Sequence, residues 1–459
     1  MTTFNNGGII MENAKAYPKF HFCPKSGWMN DPNGLMYLNG QYHMFFQYQP
    51  FSTEFGNMHW GHASTKDFIH WNHLPIALYP DTDGCIYSGS AAEIQTENGQ
   101  NQIMAIYAHH GYDPEGTESI HIAFSLDKIN FTPYEGNPVI FMPQYKYFRD
   151  PYLFQCPNET FWRLAVSTGN MILFLVSEDL IHWNETGRFI RKEDDIVGLW
   201  ECPQLCRVKY EDTFKWVLII SHGMEAENGG SRTRYFIGSF NGYTFIDETP
   251  GSTSKWVDFG PDSYAGAFFR NTEDHPVFIA WMSNWAYAKN IPADGYRGVM
   301  SLPVSVSLTK ENEFLLSFQP VSNLLKVFSE PQPLPDQQVA ALPDAVCLEI
   351  SAKNGSVAIL KDIQGRELLC FGIDSDGYIF LNRSGESART IPHFEGSFTS
   401  SIKNCSDHMC VFIDRNTFEL FANGGHSKCS ALFFSDSPLI LWFQDMKIQK
   451  RDYTAISED

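Results

Sequence analysis

The chain has 459 residues, 43% hydrophobic and 19% charged, with a formal net charge of −20. That length calls for two or more domains, and the negative field repels phosphate backbones and anionic membranes, which excludes nucleic acid as a partner. No uninterrupted run of 18 apolar residues occurs, so no membrane-spanning helix is expected.

In chain order, the N-terminal stretch Met1–Phe20 lacks a basic segment followed by an apolar one. It does not read as a signal peptide, and a cytoplasmic location is expected. The ten cysteines are scattered at neither zinc-ribbon nor disulfide-scaffold spacing, as suits buried reduced thiols. The first strands fall near Asn30–Tyr37, Gln41–Gln49, His59–Ser64 and Trp71–Leu78, with Leu38-Asn39-Gly40 as a hairpin turn. The segment Thr65-Lys-Asp67-Phe-Ile-His-Trp71 then returns as Ser125-Leu-Asp127-Lys-Ile-Asn-Phe131 and Ser177-Glu-Asp179-Leu-Ile-His-Trp183. A looser fourth copy is Ser239-Phe-Asn241-Gly-Tyr-Thr-Phe245. Each copy follows an apolar strand, offers an Asp or Asn side chain to the turn backbone and ends on an aromatic.

The period leaves room for four strands, the repeat of a β-propeller blade. A divergent fifth blade fits Asp262–Leu308, with strands near Tyr264–Arg270, Val277–Trp281 and Val299–Ser307. Past Phe318 the pattern stops. Glu330-Pro-Gln-Pro-Leu-Pro335 reads as a linker, followed by short strand-like runs such as Val346–Ile350, Cys410–Ile413 and Thr417–Phe421. The expected fold is all-β: a five-bladed β-propeller (17–318), a linker (319–336) and a C-terminal β-sandwich (337–456).

Chemistry gathers where each blade begins. Asp31, Ser88, Asp150, Glu201 and Tyr264 lie 57, 62, 51 and 63 residues apart, steps that track the hairpin period. Equal phase around a closed ring places them at similar radius and depth, facing the central channel. One Asp before a proline is usually a turn residue. Three acids at one phase are costly to crowd in a partly dry funnel, which favours function. Two carboxylates across a small gap suit glycoside cleavage, one ionised and one protonated. The third, Asp150, is expected to be held ionised by neighbouring Arg149 and to grip sugar hydroxyls. No Gly-x-Ser-x-Gly elbow or phosphate-cradling loop is present. His109-His110 lack further ligands at metal spacing and read as exposed loop histidines.

Trp28-Met-Asn-Asp31-Pro-Asn-Gly34, Arg149-Asp-Pro151 and Glu201-Cys-Pro203 resemble, in order, the three signature motifs of glycoside hydrolase family 32, the invertase family. Phe46–Pro50, Trp60–Ala63, Ser88–Ala91, Trp281–Trp285, Arg297-Gly298 and Asp414–Asn423 extend the resemblance over nearly the whole chain. It implies the same two-domain fold, a small carbohydrate substrate and no metal or organic cofactor. By resemblance, Asp31 is the nucleophile, Glu201 the acid and base, and Asp150 the transition-state stabiliser. Trp28, Asn30, Gln47, Trp60, Tyr87, Ser88, Arg149, Tyr264 and Trp285 fall where the family binds sugar. The implied activity is retaining β-fructofuranosidase action on sucrose or short fructo-oligosaccharides. Sucrose-6-phosphate hydrolysis, which needs a basic rim, fructosyl transfer and a non-catalytic carbohydrate-binding propeller are the alternatives. The Cys202 thiol is expected to tune Glu201 or simply to pack. Gln49, Val304 and Tyr296 stand where the family more often has Asn, Arg and Trp, which places the variation at the rim of the site.

Overall fold

A computed structural model describes residues 17–454 apart from 97, 192–197, 225, 227, 249–253, 273–274, 311 and 336–338. Most of the stretch read for a leader, the end of the linker at 336 and both ends of the expected sandwich, 337 and 456, lie outside the described residues. Among the described residues no helix is long and apolar enough to cross a membrane.

Five antiparallel sheets form in succession. The first blade holds Gly27–Leu38, Gln41–Gln49, His59–Thr65 and Trp71–Leu78, close to the expected strands. The next three blades begin at Gly84–Gln95, Arg149–Phe154 and Trp200–Tyr210, and the fifth at Tyr264–Phe268. Each of these first strands touches the first strand of the next blade, and the fifth touches the first, so the ring closes. The closure is a backbone one: Tyr296–Arg297 runs parallel to Gly27–Trp28.

The repeated turn has one geometry in all four copies. Asp67 Oδ1 accepts from the amides of Ile69 and His70, and Asp127 Oδ1 from those of Ile129 and Asn130. Asp179 Oδ1 and Asn241 Oδ1 do the same two and three residues on. The residue after the acceptor sits in the left-handed region, at φ 68° for Phe68, 67° for Lys128, 69° for Leu180 and 88° for Gly242. The side chain takes up two turn donors while one residue reverses the chain.

Blade five differs from expectation at its outer edge. Its third strand is Val304–Lys310, and a fourth, Phe314–Pro320, runs through the expected domain boundary. The stretch read as a linker is also packed: Leu324 and Val327 of a 3₁₀ turn are buried, and Gln332–Pro333 pairs with Gln449–Lys450. Proline disfavours central strands, not an edge pairing of two residues.

The C-terminal domain is built on two long strands, Ala345–Asp362 and Leu439–Asp452, paired along their length with a register break after Ala352. Before the break the first pairs with His408–Asp414; beyond it, with Glu367–Ile373. Both strands therefore bend from one layer of the sandwich into the other.

Charged groups bind this domain to the propeller. Asp414 accepts from the backbone amides of Lys19, Phe20 and His21 at 2.7–3.0 Å. The His21 ring bridges Asp414 (2.9 Å) and Glu419 (3.1 Å), and Glu419 accepts the Leu302 amide. Burial alone would depress His21, but the hydrogen bonds its ring donates to Asp414 and Glu419 outweigh it and raise the ring to about 9. The motif Asp414–Glu419 therefore holds the N-terminal segment and blade five to the sandwich. Because the folded pKa lies above the unfolded one, this stabilisation is complete below about pH 6.5 and lost as pH rises through about 9. His21→Ala should cost about 3 kcal/mol at pH 6, since it removes the charged ring that two buried carboxylates share. Thermal unfolding should show the deficit shrinking by pH 10; a constant deficit would assign His21 a packing role only.

Candidate active site

The first strand of every blade breaks its ladder at the same place. Two residues oppose one across the gaps Met29/Pro32, Ile86/Gly89, Arg149/Tyr152, Glu201/Gln204 and Tyr264/Ala267. These five bulges re-aim side chains at the sheet's end. Asp150 and Cys202 reach their positions at φ 58° and 49°. The acids are not at one equivalent position, as equal phase implied. Glu201 is the last paired residue before its bulge, Asp150 the first bulge residue and Asp31 the second. They meet because the ring staggers them by single residues.

A cavity of about 370 Å³ collects Asp31, Asp150 and Glu201 with Asn30, Gln47, Tyr87, Ser88, Arg149, Tyr264 and Trp285. Asp31 accepts from Asn30 Nδ2 at 2.9 Å and Ser88 Oγ at 2.8 Å. Asp150 accepts the Cys202 amide at 2.9 Å. Glu201 is held on both oxygens, by Arg149 at 2.7 Å and by the Tyr264 hydroxyl at 2.5 Å. Gly223 leaves room for it: a β-carbon there would lie 2.2 Å from Glu201 Oε2. The buried Nε2 of Gln47 has no hydrogen-bond partner, a donor left for a ligand.

A second, wider cavity of about 860 Å³ meets the first at Tyr147, Glu201, Trp285 and Lys289. Glu201 thus stands at the junction of a narrow pocket and an open one.

A model described as the N-terminal domain of glycosyl hydrolases family 32 matches residues 21–320. The chain belongs to glycosyl hydrolase family 32. It is 34% identical to a levanase of Bacillus subtilis, over 91% of this chain and 66% of the levanase. It is 30% identical to an extracellular exo-inulinase of Aspergillus niger, over 92% and 90%. Among solved structures, an exo-inulinase from Aspergillus awamori superposes with a TM-score of 0.86 at 27% identity, covering 95% of this chain and 98% of that one. A β-fructofuranosidase from Schwanniomyces occidentalis complexed with fructosyl-erythritol gives 0.84 at 26%, covering 99% and 100%.

Within this family 32 chain, two expected sugar contacts lie behind the wall. Trp28 and Trp60 are fully buried: Trp28 donates to Asn30 Oδ1 at 2.7 Å, and Trp60 to the Tyr87 carbonyl at 3.0 Å. They fix residues that face the cavity. Arg149 does not pair with Asp150. It forks between Glu201 and Glu118 (3.0 Å), while Asp150, the first bulge residue at φ 58°, turns its carboxylate to the Cys202 amide. The Cys202 thiol lies on Asp31 (3.5 Å) and Asp150 (3.7 Å), not on Glu201. His109 and His110 lie on the strand Asn101–Gly111; His109 is buried, and His110 stacks on Tyr87 and faces the cavity. Only Gln49 of the three departures bears on the rim, through the Gly56 carbonyl beside Phe55. Val304 is core, and Tyr296 faces a separate groove between the domains. Phe55, Glu118, Lys146, Tyr147 and Lys289 also line the cavity without a sequence signal, since all lie outside the bulge positions.

Burial pushes Asp31 up, opposed by the Asn30 and Ser88 hydrogen bonds. Asp150 is pushed up to about 7 by burial, which outweighs the Arg149 charge, with the Glu201 charge adding to the rise. The expectation that Arg149 keeps Asp150 ionised therefore fails. Burial and the neighbouring Asp150 and Asp31 charges hold the Cys202 thiol far above its ordinary range, so it acts as a neutral donor. With a folded pKa above the unfolded 3.8, the stability tied to Asp150 is complete below about pH 4 and lost as pH rises through 7. Asp150→Asn should therefore be more stable than the parent at pH 8, by on the order of 4 kcal/mol, and equal to it near pH 4. An equal difference at both pH values in thermal unfolding would contradict the raised Asp150.

Proposed function

We propose that the chain hydrolyses terminal β-D-fructofuranosyl bonds, of sucrose or short fructo-oligosaccharides, by double displacement with net retention. The observation that carries this reading is the division of labour between two carboxylates. Asp31 is sunk in a narrow pocket with two neutral donors, and Glu201 stands where that pocket opens into a wider one. Asn30 and Ser88 stabilise the ionised form of Asp31, as attack on the anomeric carbon demands. Glu201 protonates the departing oxygen, then activates water from the wider side. Asp150 and the unpartnered Gln47 amide meet sugar hydroxyls, so the narrow pocket takes the fructosyl ring. The fructosyl-erythritol complex of the Schwanniomyces occidentalis relative supports a fructosyl group.

An aglycone carrying phosphate is a second reading, favoured by Lys146 and Lys289 on the cavity wall. A related sucrose-6-phosphate hydrolase of Zymomonas mobilis is 30% identical. Ten cysteines, none in a disulfide among the described residues, support a reducing, cytoplasmic compartment.

Asp31→Asn should lower kcat by roughly 10³-fold or more without lowering thermal stability. A variant near the parental rate would remove Asp31 from the mechanism. Glu201→Gln should lower kcat by roughly 10²–10⁴-fold on sucrose and far less on a fructoside with an activated leaving group. Equal losses on both would contradict its role as the acid. Rates on sucrose, sucrose-6-phosphate, kestose, inulin and levan separate the readings of the leaving group, with sucrose and kestose expected to lead.

A further inference from the structure

Two segments that shape the active site are tied to the C-terminal domain by one buried group. Arg383 lies on the strand Tyr378–Arg383 of the sandwich and is 1% exposed. Its Nη1 donates to Asp262 Oδ2 at 2.7 Å and to the Leu432 carbonyl at 3.0 Å. Nη2 donates to the Tyr287 hydroxyl at 2.7 Å, and Nε to the Phe394 carbonyl at 2.7 Å. The Tyr287 hydroxyl donates onward to Asp262 Oδ1, closing a triangle, and the Leu432 amide also reaches Asp262. All three side chains are buried, and the guanidinium lies against the Phe394 ring.

What hangs from this triangle is catalytic machinery. Asp262 is two residues before Tyr264, whose hydroxyl holds Glu201. Tyr287 is two residues after Trp285, which lines both cavities and stacks on Trp28 at 5.9 Å. Asn284 ties the segments again through the Pro261 carbonyl, at 3.0 Å. A buried ion pair is a poor way to gain stability, because desolvation offsets most of the attraction. A planar fork that fixes two segments in one geometry is a good way to gain position.

We infer that Arg383 is a positioning residue for the active site, acting through Asp262 on Tyr264 and through Tyr287 on Trp285. The sandwich thereby sets the geometry in which the propeller's Glu201 works. The kinetic part of this inference rests on the proposed fructosidase reaction; the structural part does not.

Tyr287→Phe tests it with least disturbance, since it removes one hydroxyl and keeps the Arg383–Asp262 pair. Two readouts are taken on the full chain. Amide exchange should quicken in 261–264 and 284–287, with the sandwich strands unchanged. On sucrose, kcat per folded enzyme should fall about tenfold with KM altered less than about twofold, because Asp150 and Gln47, which meet the sugar hydroxyls, are not touched by the triangle. The double variant Asp262→Asn with Arg383→Met, which leaves no unpaired charge, should show the same pattern. Unchanged exchange in those segments would overturn the inference, and so would quickened exchange with kcat unchanged. If the parent cleaves no β-fructoside, the proposed function fails, while exchange still decides whether the triangle holds the segments.

Discussion

Placing three acids in the throat of one ring is the constraint to which the rest of the structure answers. Each carboxylate loses water there and repels the other two, so each needs donors that the fold must deliver. Asn30 and Ser88 serve Asp31, the Cys202 amide serves Asp150, and Arg149 with Tyr264 serves Glu201. These donors come from all five blades, so the site exists only when the ring is closed. The bulge repeated at the start of each blade turns an ordinary ladder end into a set of inward-aimed groups.

The fold was legible because its repeat is chemical. The Asp or Asn of each third hairpin must accept two backbone amides, and that need leaves a mark at every period. Blade five lacks the mark in its outer turn, and its last strand was accordingly missed. The three acids and most of their partners were legible for a related reason: they sit at or beside the bulges, at nearly constant distance from the hairpins. What the spacing could not resolve is a single-residue offset. It therefore put all three acids at one depth, joined Arg149 to the wrong carboxylate and placed the Cys202 thiol against Glu201. Residues that reach the cavity from loops, such as Phe55 and Lys289, carry no periodic signal.

Around this centre, specificity and support separate cleanly. The narrow pocket is lined by polar groups fixed from behind by buried tryptophans, Trp28 under Asn30 and Trp60 under Tyr87. The wider cavity beyond Glu201 is shaped by turns of blades three and four and by the segment after Trp281, which vary more freely than strands. Support comes from the second domain. His21, Asp414 and Glu419 fasten the N-terminal segment and blade five to the sandwich, and Arg383 reaches the segment that leads into the Tyr264 strand. Charge is buried heavily at that interface, where directional hydrogen bonds specify one docking geometry and apolar contact alone does not.

The central claim is that Asp31 attacks the sugar. Mass spectrometry of peptides from Glu201→Ala, incubated with a fructoside bearing an activated leaving group, tests this most directly, since the first step then outruns the second. The account predicts one fructosyl unit on the peptide containing Asp31. An adduct on Asp150, or free fructose released with inversion and no adduct, would contradict it.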